Sequence, residues 1–427
     1  MEPCAAAMRL IFVNRYFHPD HSATSQMLSG LAFFLAGAGH DVTVVTSRQR
    51  YDEAGARLLA HERINGVTVH RVPTSRFGRA SLAGRALDYL SFYLTAGWCL
   101  FRMVRACDIV VVKTDPPLIS VVAALAVRWR GARLVNWVQD VFPEVALALG
   151  MRVLSGPQAG LLRWLRNRAL QAAAMNVVLG ERMAVVAARA GVPAERLRVI
   201  PNWADMEAIC PIAPADNRLR REWGLDGKCV VCYSGNMGRA HEFDTILDAA
   251  QLLAGRANAI RFLFIGGGAQ RGWIEDEVRR RALPNVAFRP YQSAANLAYS
   301  LGVGDIHLVS QRPESEGYVF PSKLYGILAA GRPLVFIGAH DGELGCLAER
   351  EGVGVAARQG DALGLARQLE RLADDTASRL AMGTQARTLL CTRYDQAIAF
   401  RAWRDLLEQI ALSGAGLASA KPPPTAR

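Results

Sequence analysis

The sequence predicts an α/β protein made of two doubly wound domains of similar size. Its 427 residues are more than one ordinary core accommodates. Short runs rich in Val and Ile alternate with stretches of helical periodicity, a pattern typical of parallel strands buried on both faces. The pattern restarts after a segment rich in Pro, Ala and Asp at 210–217, which indicates a domain boundary. With 51% hydrophobic residues the chain can fill two packed interiors.

The first domain is predicted to span residues 8–205. Its opening strand, helix and strand form a βαβ unit, for which right-handed parallel pairing is the rule. The helix is predicted to begin at Met27, after an irregular polar loop at 16–25. The predicted strands of this domain are 9–14, 41–46, 67–72, 108–113, 134–138, 175–179 and 197–200.

The second domain is predicted to span residues 206–390. A helical segment, 391–412, follows it, and we expect this segment to pack back on the first domain. Residues 413–427 include three consecutive prolines and are predicted to form a disordered tail. The predicted strands of this half are 230–234, 261–265, 285–288, 306–309 and 333–337. The predicted helices are 244–253, 362–372, 377–390 and 398–410.

The positive charge of the chain is concentrated in its first half. The formal net charge is +12, and residues 1–205 carry 24 basic and 14 acidic side chains. Nucleic acid, anionic lipid and phosphorylated substrates are the partners that such a balance favours. Only Lys113, Lys228, Lys323 and Lys421 of the 50 basic residues are lysines, a ratio that a GC-rich genome explains better than recognition does.

The eight cysteines do not predict a disulfide framework in a chain of this length. Cys229 and Cys232 form a C-x-x-C pair, which permits a redox or zinc interpretation, but they lie in an apolar run that predicts a buried strand. Reduced core cysteines are therefore expected, and the cytosolic side is the default compartment. The first residues lack the basic and apolar regions of a signal peptide, and either Met1 or Met8 can be the natural start.

An aromatic-rich stretch, 89–104, is the nearest approach to a membrane span in the sequence. Arg102 interrupts it, and it is shorter than the ~20 apolar residues that a span needs. Two interpretations stay open. The stretch is either a helix buried in the core or a helix resting in a bilayer interface, with aromatics such as Phe92, Tyr93 and Trp98 at headgroup level.

Two doubly wound domains imply a cleft, because ligands of such sheets bind outside the carboxyl ends of the strands. In the second domain Gly235, Asn236 and Gly238 follow a strand and precede a helix. Glycines permit close backbone approach, and Arg239 beside them adds a charge suited to a phosphate. A purely structural turn is the alternative interpretation.

A second glycine-rich turn, 266–268, also follows a strand. A dinucleotide fingerprint would need a glycine at Arg271, and no acidic residue ends the next strand, so a nicotinamide site is excluded. Gly267 and Gly268 then offer a backbone surface for a flat base, and Tyr291 is a candidate for the same pocket.

The segment 312–326 follows a strand, carries two carboxylates and then starts a helix. Its simplest interpretation is an acidic loop before a capped helix with ordinary start signals at 321–323. The alternative is that Glu314 and Glu316 accept hydrogen bonds from sugar hydroxyls, while the helix N-terminus and Lys323 face a diphosphate.

In the first domain, polar side chains follow two predicted strands. The loop after the first strand contains His18 and Ser22. The segment 136–144 contains Asp140 and Glu144 as candidate acceptors of a substrate hydroxyl. A single polar side chain in a loop is usually only solvated, but two such loops at one cleft favour an acceptor site.

These motifs resemble those of the retaining GT-B glycosyltransferases classed as family 4, and the resemblance covers residues 8–410. It rests on the opening strand, loop and helix and on the segments 138–144, 199–202, 234–238 and 314–333. The Pro-Ser-Lys sequence at 321–323 resembles the subgroup that adds amino- or deoxy-sugars in bacterial capsule, O-antigen and exopolysaccharide assembly, of the colanic-acid type. The resemblance implies two Rossmann-like domains that face a cleft.

The chain departs from the family pattern at several places. The family shows a glutamate, seven residues and a second glutamate; Glu314 fits the first place, and Ser322 stands at the second. The Gly-Gly pair common in the first loop is absent. A lysine that usually follows the phosphate-binding arginine is also absent, and His241 stands nearby. The resemblance therefore leaves Arg239 and Lys323 to neutralise the diphosphate.

The resemblance and the loops together assign three groups of site residues. The catalytic group is Asp140, Glu314, Arg239 and Lys323; the donor-binding group is Gly235, Asn236, Gly238, Gly267, Gly268, Tyr291, Glu316, Gly317 and Ser322; the acceptor-binding group is His18, Ser22 and Glu144. No metal-binding carboxylate cluster is visible in the sequence, and we expect no metal and no other cofactor.

The implied reaction transfers an amino- or deoxy-hexose from a UDP-linked donor to a lipid-linked or saccharide acceptor, with retention by front-face attack. The basic first half with its 89–104 helix is expected to bind the anionic inner leaflet from the cytoplasm and to collect a polyprenyl-diphosphate-linked acceptor there. A nucleotide-sugar epimerase is the alternative, because it can share the architecture. A nucleic-acid partner is not expected, since no recognition module accompanies the basic residues.

Overall fold

The computed structural model describes residues 7–50, 58–78, 82–151, 156–256 and 259–418. The chain divides into two compact units. The first contains the described residues up to Pro143, those from 156 to Pro201 and those from Phe400 onward, and the second contains Glu144–Met151 and Asn202–Ala399. Each unit has a sheet with helices on both faces, so the α/β fold class predicted from the sequence is confirmed.

The first unit is built on a sheet of eight strands. They are β1 Arg9–Val13, β2 Asp41–Ser47, β3 His61–Ile64, β4 Val67–Val72, β5 Ile109–Lys113, β6 Arg133–Trp137, β7 Met175–Val178 and β8 Leu197–Val199. Their order is β3-β4-β2-β1-β5-β6-β7-β8, and β3 pairs with β4 antiparallel while the other pairs are parallel. Strand β5 is buried along its whole length, which explains its unbroken apolar run in the sequence.

The second unit is built on a parallel sheet of six strands. They are β9 Cys229–Ser234, β10 Ile260–Ile265, β11 Val286–Arg289, β12 Ile306–Ser310, β13 Leu334–Gly338 and β14 Gly354–Arg358. Their order is β11-β10-β9-β12-β13-β14. Cys229 and Cys232 lie on β9 as free thiols, and burial raises the pKa of Cys229 to about 12 and that of Cys232 further. The expectation of reduced core cysteines is confirmed for this pair.

Helices cover both faces of each sheet. The helices are α1 Ala23–Gly37, α2 Leu82–Met103, α3 Ile119–Arg130, α4 Glu144–Ala148, α5 Pro157–Ala172, α6 Glu181–Arg189, α7 Arg218–Glu222, α8 Asp244–Leu252, α9 Arg271–Arg280, α10 Leu297–Gly302, α11 Lys323–Ala329, α12 Glu343–Arg350, α13 Ala362–Asp374, α14 Thr376–Leu389 and α15 Gln396–Ala418. Within the described part of the chain, no helix combines the length and the apolar content needed to cross a bilayer.

Three helices of the first unit form one layer. Helix α2 packs on α3, and α3 packs on α5. Their inner sides bury Phe92, Leu100 and Ala123 in the same core as Val110 of β5. The apolar residues of α2 recur at helical spacing, so one side of the helix enters the core and the opposite side is left outward.

Helix α15 belongs to the first unit from Phe400 onward. Trp403 packs against Trp137 with ring centroids 4.7 Å apart, and Phe400 stacks on Phe34 at 5.0 Å. The helix continues to Ala418, so the predicted start of a disordered tail at 413 is wrong. The rest of that predicted tail, 419–427, and the N-terminal residues 1–6 lie outside the described residues.

The predicted strands are confirmed, and two further strands were missed. Strand β3 has no buried stripe, but Asn65 and Gly66 between β3 and β4 both have positive φ, 47° and 84°. An Asn-Gly pair with this geometry makes a tight hairpin, so it is the signal that could have predicted β3. Strand β14 contains a single β-branched residue, Val355, and therefore lacks the usual composition of a buried strand.

Two helices begin earlier than the sequence predicted. Helix α1 starts at Ala23 instead of Met27, so the last part of the predicted 16–25 loop is helical. The carboxylate of Asp20 accepts a hydrogen bond from the amide of Ser22 at 2.8 Å, which closes the polar loop before the helix. Helix α2 starts at Leu82, ahead of the predicted aromatic stretch.

Candidate active site

Both sheets reverse their strand order between two central strands. In the first unit the reversal lies between β1 and β5, and in the second it lies between β9 and β12. Loops that leave the carboxyl ends of such strands diverge to opposite faces and leave a crevice, which is where doubly wound sheets bind ligands. Residues of a ligand site are therefore expected in the loops near these two places.

In the second unit the loops after β9 and β10 lock into one another. The amide of Met237 donates to the carbonyl oxygen of Gly267 at 2.7 Å, and Gly235 donates to Ile265 at 2.8 Å. Gly268 has a φ of 139°, and a Cβ there would lie 2.5 Å from the Oδ1 atom of Asn236. Only glycine fits such a contact, so the two turns form a fixed backbone surface.

Lys323, the first residue of α11, lies beside this surface. Its Nζ atom is 3.0 Å from Nε2 of His241 and 4.9 Å from the centroid of the Tyr233 ring. Its side chain crosses Gly235, where a Cβ would lie 3.1 Å from the lysine Cε atom. Part of the residue reaches solvent, but the ammonium is enclosed by protein, and this burial lowers the pKa of Lys323 to about 7.

Arg312 ties the turn after β9 to the segment that carries Glu314. Its amide donates to the carbonyl oxygen of Ala240 at 2.8 Å, and its Nε atom donates to that of Arg239 at 3.1 Å. Arg239 and Glu314 are exposed, and within the described residues neither side chain makes a hydrogen bond or ion pair. The two predicted residues thus stand on joined segments with their charged groups available to a ligand.

The other predicted donor-binding residues differ in whether their side chains already make hydrogen bonds within the protein. Glu316 accepts a hydrogen bond from the amide of Glu343 at 2.8 Å, which caps α12 and occupies one carboxylate oxygen. Ser322 is the N-cap residue of α11, as the start signals predicted, but its side chain makes no capping hydrogen bond and its hydroxyl is exposed. Gly317 turns the chain with a φ of 76°.

Tyr291 lies against the glycine-rich turn at 266–268. A Cβ on Gly267 would be 3.2 Å from its ring, and its hydroxyl is 3.3 Å from the carbonyl oxygen of Gly267. The ring is 60% exposed, so an aromatic surface stands beside the predicted base site. Stacking of a flat base on such a ring is a common mode of recognition.

In the first unit the loop after β1 is held by main-chain contacts. The amide of His18 donates to Oγ of Ser29 at 3.2 Å, and its carbonyl oxygen accepts from Arg71 at 2.7 Å. The imidazole is exposed, and its partial burial and the charge of Arg71 lower the pKa of His18. Ser22 directly precedes α1 and makes no capping hydrogen bond with its side chain.

Asp140 lies in the loop after β6. The Oγ1 atom of Thr114 accepts from the amides of Gln139 and Asp140 at 3.0 and 3.3 Å, which joins this loop to the end of β5. Asp140 retains exposed surface, but the surrounding protein desolvates its carboxyl group. Burial and the nearby charge of Asp115 raise the pKa of Asp140 to about 6, against the opposing effect of Lys113.

Lys113 is a buried cation at this site that the sequence interpretation missed. It ends β5, is 1% exposed, and donates from Nζ to the carbonyl oxygen of Thr24 at 2.9 Å. The Nζ atom also lies 3.9 Å from the centroid of the Trp137 ring. Burial lowers the pKa of Lys113 to about 7. A lysine ending a fully apolar strand, in a chain with four lysines, was the available signal.

Glu144 belongs to the second unit, whereas His18 and Ser22, the other predicted acceptor-binding residues, belong to the first. It begins α4, which belongs to the second unit and packs against the short 3₁₀ turn Pro313–Ser315. The predicted first domain, 8–205, had placed Glu144 together with Asp140. The helix α4 instead adds its contacts to the segment that carries Glu314.

Two doubly wound units, each with polar loops at the reversal point of its sheet, are the architecture of the GT-B glycosyltransferases. Residues 23–203 match the glycosyl transferase 4-like domain, and residues 228–375 match the glycosyl transferases group 1 domain. The chain belongs to this glycosyltransferase family, as the sequence motifs predicted.

Known proteins of this class match most of the chain. WcaI of Escherichia coli K12, provisionally described as a colanic acid biosynthesis glycosyl transferase, is 29% identical over 354 residues, covering 80% of this chain and 86% of WcaI. WbjE of Pseudomonas aeruginosa, provisionally described as a glycosyltransferase, is 28% identical over 334 residues, covering 77% and 80%. The solved structure of Anabaena HepE in complex with UDP has a TM-score of 0.71 at 15% identity, covering 94% of this chain and 100% of HepE.

Proposed function

We propose that this glycosyltransferase moves an amino- or deoxy-hexose from a UDP-linked donor to a lipid-linked or saccharide acceptor, with retention, in bacterial surface polysaccharide synthesis. The observation that carries the proposal is the locked glycine surface after β9 and β10, with Lys323 and Arg239 beside it. A rigid backbone surface with two cations is suited to a diphosphate. The similarity to WcaI supports the polysaccharide setting.

The donor site acts mainly by neutralising charge. Breaking the bond between the sugar and the diphosphate leaves negative charge on the nucleotide, so fixed cations and amide groups lower the barrier most where that charge develops. Arg239 and Lys323 supply the cations. In this proposal Glu314 accepts hydrogen bonds from sugar hydroxyls, and the exposed ring of Tyr291 stacks on the base. The UDP bound by HepE supports uracil as that base.

The acceptor site orients a hydroxyl group. Asp140, with its pKa raised to about 6, is largely ionised at neutral pH and can accept a hydrogen bond from the acceptor hydroxyl. His18 and Ser22 stand on the neighbouring loop after β1 and offer further polar contacts. Retention by front-face attack rests on the resemblance to family 4.

The donor proposal is tested by nucleotide binding to the purified protein. UDP, GDP, ADP and TDP are titrated by calorimetry against the wild type, Arg239→Ala and Arg279→Ala. Arg239 is exposed and unpaired among the described residues, so its removal leaves the fold intact, and Arg279 is an exposed arginine on α9 that serves as the matched control. We expect UDP to bind, Arg239→Ala to weaken it about tenfold, and Arg279→Ala to leave it unchanged.

Binding of another nucleotide in place of UDP would correct the base and keep the donor site. Failure of all four to bind the wild type would overturn the proposal. Loss of UDP binding in Arg279→Ala to the same extent as in Arg239→Ala would show a nonspecific charge effect.

We further propose that the first unit docks on an anionic membrane. The outward sides of α2, α3 and α5 expose large apolar side chains in one layer. They are Leu87, Leu90, Leu94, Trp98, Phe101, Leu125, Trp129, Leu161 and Trp164. Trp98, Trp129 and Trp164 are 63%, 75% and 55% exposed, although soluble proteins rarely leave so many tryptophans in one layer uncovered.

The aromatics that the sequence analysis assigned to this contact need correction. Phe92 is fully buried, and Tyr93 is largely buried with its hydroxyl donating to the carbonyl oxygen of Pro117. The core interpretation of the 89–104 helix is therefore confirmed for the inner side of α2. The membrane interpretation is proposed for its outward side. Trp98 remains on the outward side.

The charge of this layer fits anionic headgroups. The only acidic residue of the three helices, Asp88, is 1% exposed, so their outward charge is entirely positive. Arg102 lies over the ring of Trp98, Arg130 over that of Phe101, and Arg168 over that of Trp164, at 5.9, 5.0 and 5.7 Å. Alternating tryptophan and arginine is the composition of membrane-interface surfaces.

The membrane proposal is tested by sedimentation with vesicles of phosphatidylcholine alone and of phosphatidylcholine with phosphatidylglycerol. We expect the wild type to bind the anionic vesicles, and a Trp98→Ala, Trp129→Ala, Trp164→Ala triple variant to bind about tenfold less. Trp273→Ala, which removes a partly exposed tryptophan on α9 of the second unit, is the control. Unchanged sedimentation of the triple variant would refute the proposal.

A further inference from the structure

A series of hydrogen bonds near the reversal point of the second sheet contains His241, a residue to which the proposed donor site gives no role. It runs from the carbonyl oxygen of Ser310, at the end of β12, to Nδ1 of His241 at 2.5 Å, and from Nε2 of His241 to Nζ of Lys323 at 3.0 Å. Three separate elements thus meet on one imidazole ring: the end of β12, the loop after β9 and the start of α11.

We propose that His241 is a positioning residue, which holds the Lys323 ammonium beside the Gly235 turn so that it meets the diphosphate of the donor. The inference rests on the proposed donor site and deepens it. His241 touches neither the sugar nor the nucleotide in this proposal, and it acts through Lys323.

The direction of the hydrogen bonds follows from the partners. The carbonyl oxygen of Ser310 can only accept, so Nδ1 of His241 carries the hydrogen and Nε2 carries the lone pair. Nε2 therefore accepts from the amino group of Lys323. The imidazole works as a neutral acceptor that fixes where the lysine side chain ends.

The ammonium held in this way keeps hydrogen-bonding capacity for a ligand. A lysine ammonium has three N–H groups, and His241 takes one of them. The ring of Tyr233 lies 4.9 Å from Nζ and offers its face, and within the described residues no carboxylate pairs with Lys323. The charge is desolvated, positioned and uncompensated, which is the state that favours capture of an anionic ligand.

The protonation state of Lys323 gives the proposal a second measurable consequence. Burial and the charge of Lys323 lower the pKa of His241 to about 3, and burial raises the pKa of Tyr233 well above its usual value. Neither group titrates near neutral pH, whereas burial lowers the pKa of Lys323 to about 7. A bound diphosphate favours the ammonium and raises its pKa, and binding at pH 8 therefore takes up a proton.

The test is a pair of substitutions at His241, each of which retains one of the two hydrogen bonds of the imidazole ring and removes the other. His241→Gln places an amide where Nε2 stands and keeps an acceptor for Lys323. His241→Asn places its amide where Nδ1 stands, so it keeps the contact with Ser310 and leaves Lys323 without its acceptor. His307→Gln is the control, because His307 is a buried histidine on β12 that is bonded through Nε2 to the carbonyl oxygen of Leu301.

We expect UDP to bind His241→Gln and His307→Gln within about twofold of the wild type, and His241→Asn about tenfold more weakly. Calorimetry at pH 8 in two buffers of different ionisation enthalpy should show proton uptake for the wild type and His241→Gln. His241→Asn should show less uptake, and Lys323→Met none. Thermal melting of each variant checks that the second unit is folded.

Two outcomes would overturn the inference. One is wild-type affinity and proton uptake in His241→Asn; the other is an equal loss in His241→Gln and His241→Asn, which would show a general packing role. If the wild type binds UDP and only Lys323→Met loses it, the donor site stands and the role of His241 falls. If the wild type binds no nucleotide, the donor site itself falls.

Discussion

Each unit places a lysine near the reversal point of its sheet, at the end of β5 in the first unit and at the start of α11 in the second, yet the surroundings of the two lysines differ. Lys113 and Lys323 each lie at the reversal point, each over an aromatic ring, and burial lowers the pKa of each to about 7. Lys113 is bonded to a carbonyl oxygen, and the carboxylates of Asp115 and Asp140 oppose the lowering of its pKa. The neighbours of the Lys323 ammonium in the described part of the chain are neutral, namely the imidazole of His241 and the ring of Tyr233.

The difference matches the charge of the two proposed substrates. A diphosphate carries its own negative charge, so a site for it gains from a cation that no protein carboxylate neutralises. A hydroxyl group is neutral, so a site for it needs a carboxylate acceptor, and the buried cation then serves to hold that carboxylate ionised. A buried lysine is thus suited to either proposed role, binding a diphosphate or keeping a carboxylate ionised, according to the charges around it.

The largest effect is expected from Asp140→Asn in the first unit. Losing the carboxylate that orients the acceptor should lower kcat about 10²-fold or more, because general-base and orienting groups contribute on that scale. The affinity for UDP should stay at the wild-type value, since Asp140 belongs to the other unit. Steady-state kinetics and calorimetry measure the two quantities separately. A fall in UDP affinity matching the fall in kcat would contradict the division of roles.

The two lysines should respond in opposite ways to the same substitution. Lys323→Met removes the positioned charge and should weaken UDP binding about 30-fold, as expected for the loss of a charge-assisted hydrogen bond. Lys113→Met should leave UDP binding unchanged. Titration calorimetry on both variants provides the comparison, with melting curves to establish folding. Equal losses in both variants would remove the distinction between the sites.

A smaller effect of Lys113→Met is expected in the pH dependence of catalysis. Lys113 lowers the pKa of Asp140, which the rest of its surroundings raise to about 6. Activity that needs the carboxylate is present above this pKa and is lost as the pH falls through it. Without Lys113 the pKa rises, so the acid limb of the kcat profile should move to higher pH. A profile from pH 5 to 9 that coincides with the wild type would refute this role.

The sequence indicated some residues of the proposed donor site more directly than others. The glycine turns and Arg239 could be found because their residue types directly express a backbone or charge requirement. Glu316 was predicted as a sugar ligand, and the fold engages it in capping α12 through the amide of Glu343. A carboxylate in a loop suits either partner equally well, so sequence alone offers no means of choosing between them.

The proposed membrane surface shows the same limit on a larger scale. The aromatic stretch at 89–104 was recognised, but the buried Phe92 and the exposed Trp98 could not be told apart. Which side of α2 is covered depends on the position of α3 beside it, and exposed tryptophans on α3 and α5 extend the surface. The hydrophobic content of a helix is local information, whereas its uncovered side is set by its neighbours.

The sequence by itself determined twelve of the strands, several of the helices and the two-part organisation, because buried-strand composition, helical periodicity and glycine turns act over a few residues. The class of enzyme followed from the resemblance of its motifs to a known family. Only the tertiary structure decided which side chains act together. His241 reaches Lys323 across 82 residues, and Lys113 reaches Thr24 across 89. Such contacts depend on the order of strands in a sheet, which the spacing of residues along the chain does not predict. The burial that lowers the pKa of both lysines is likewise a property of the folded chain.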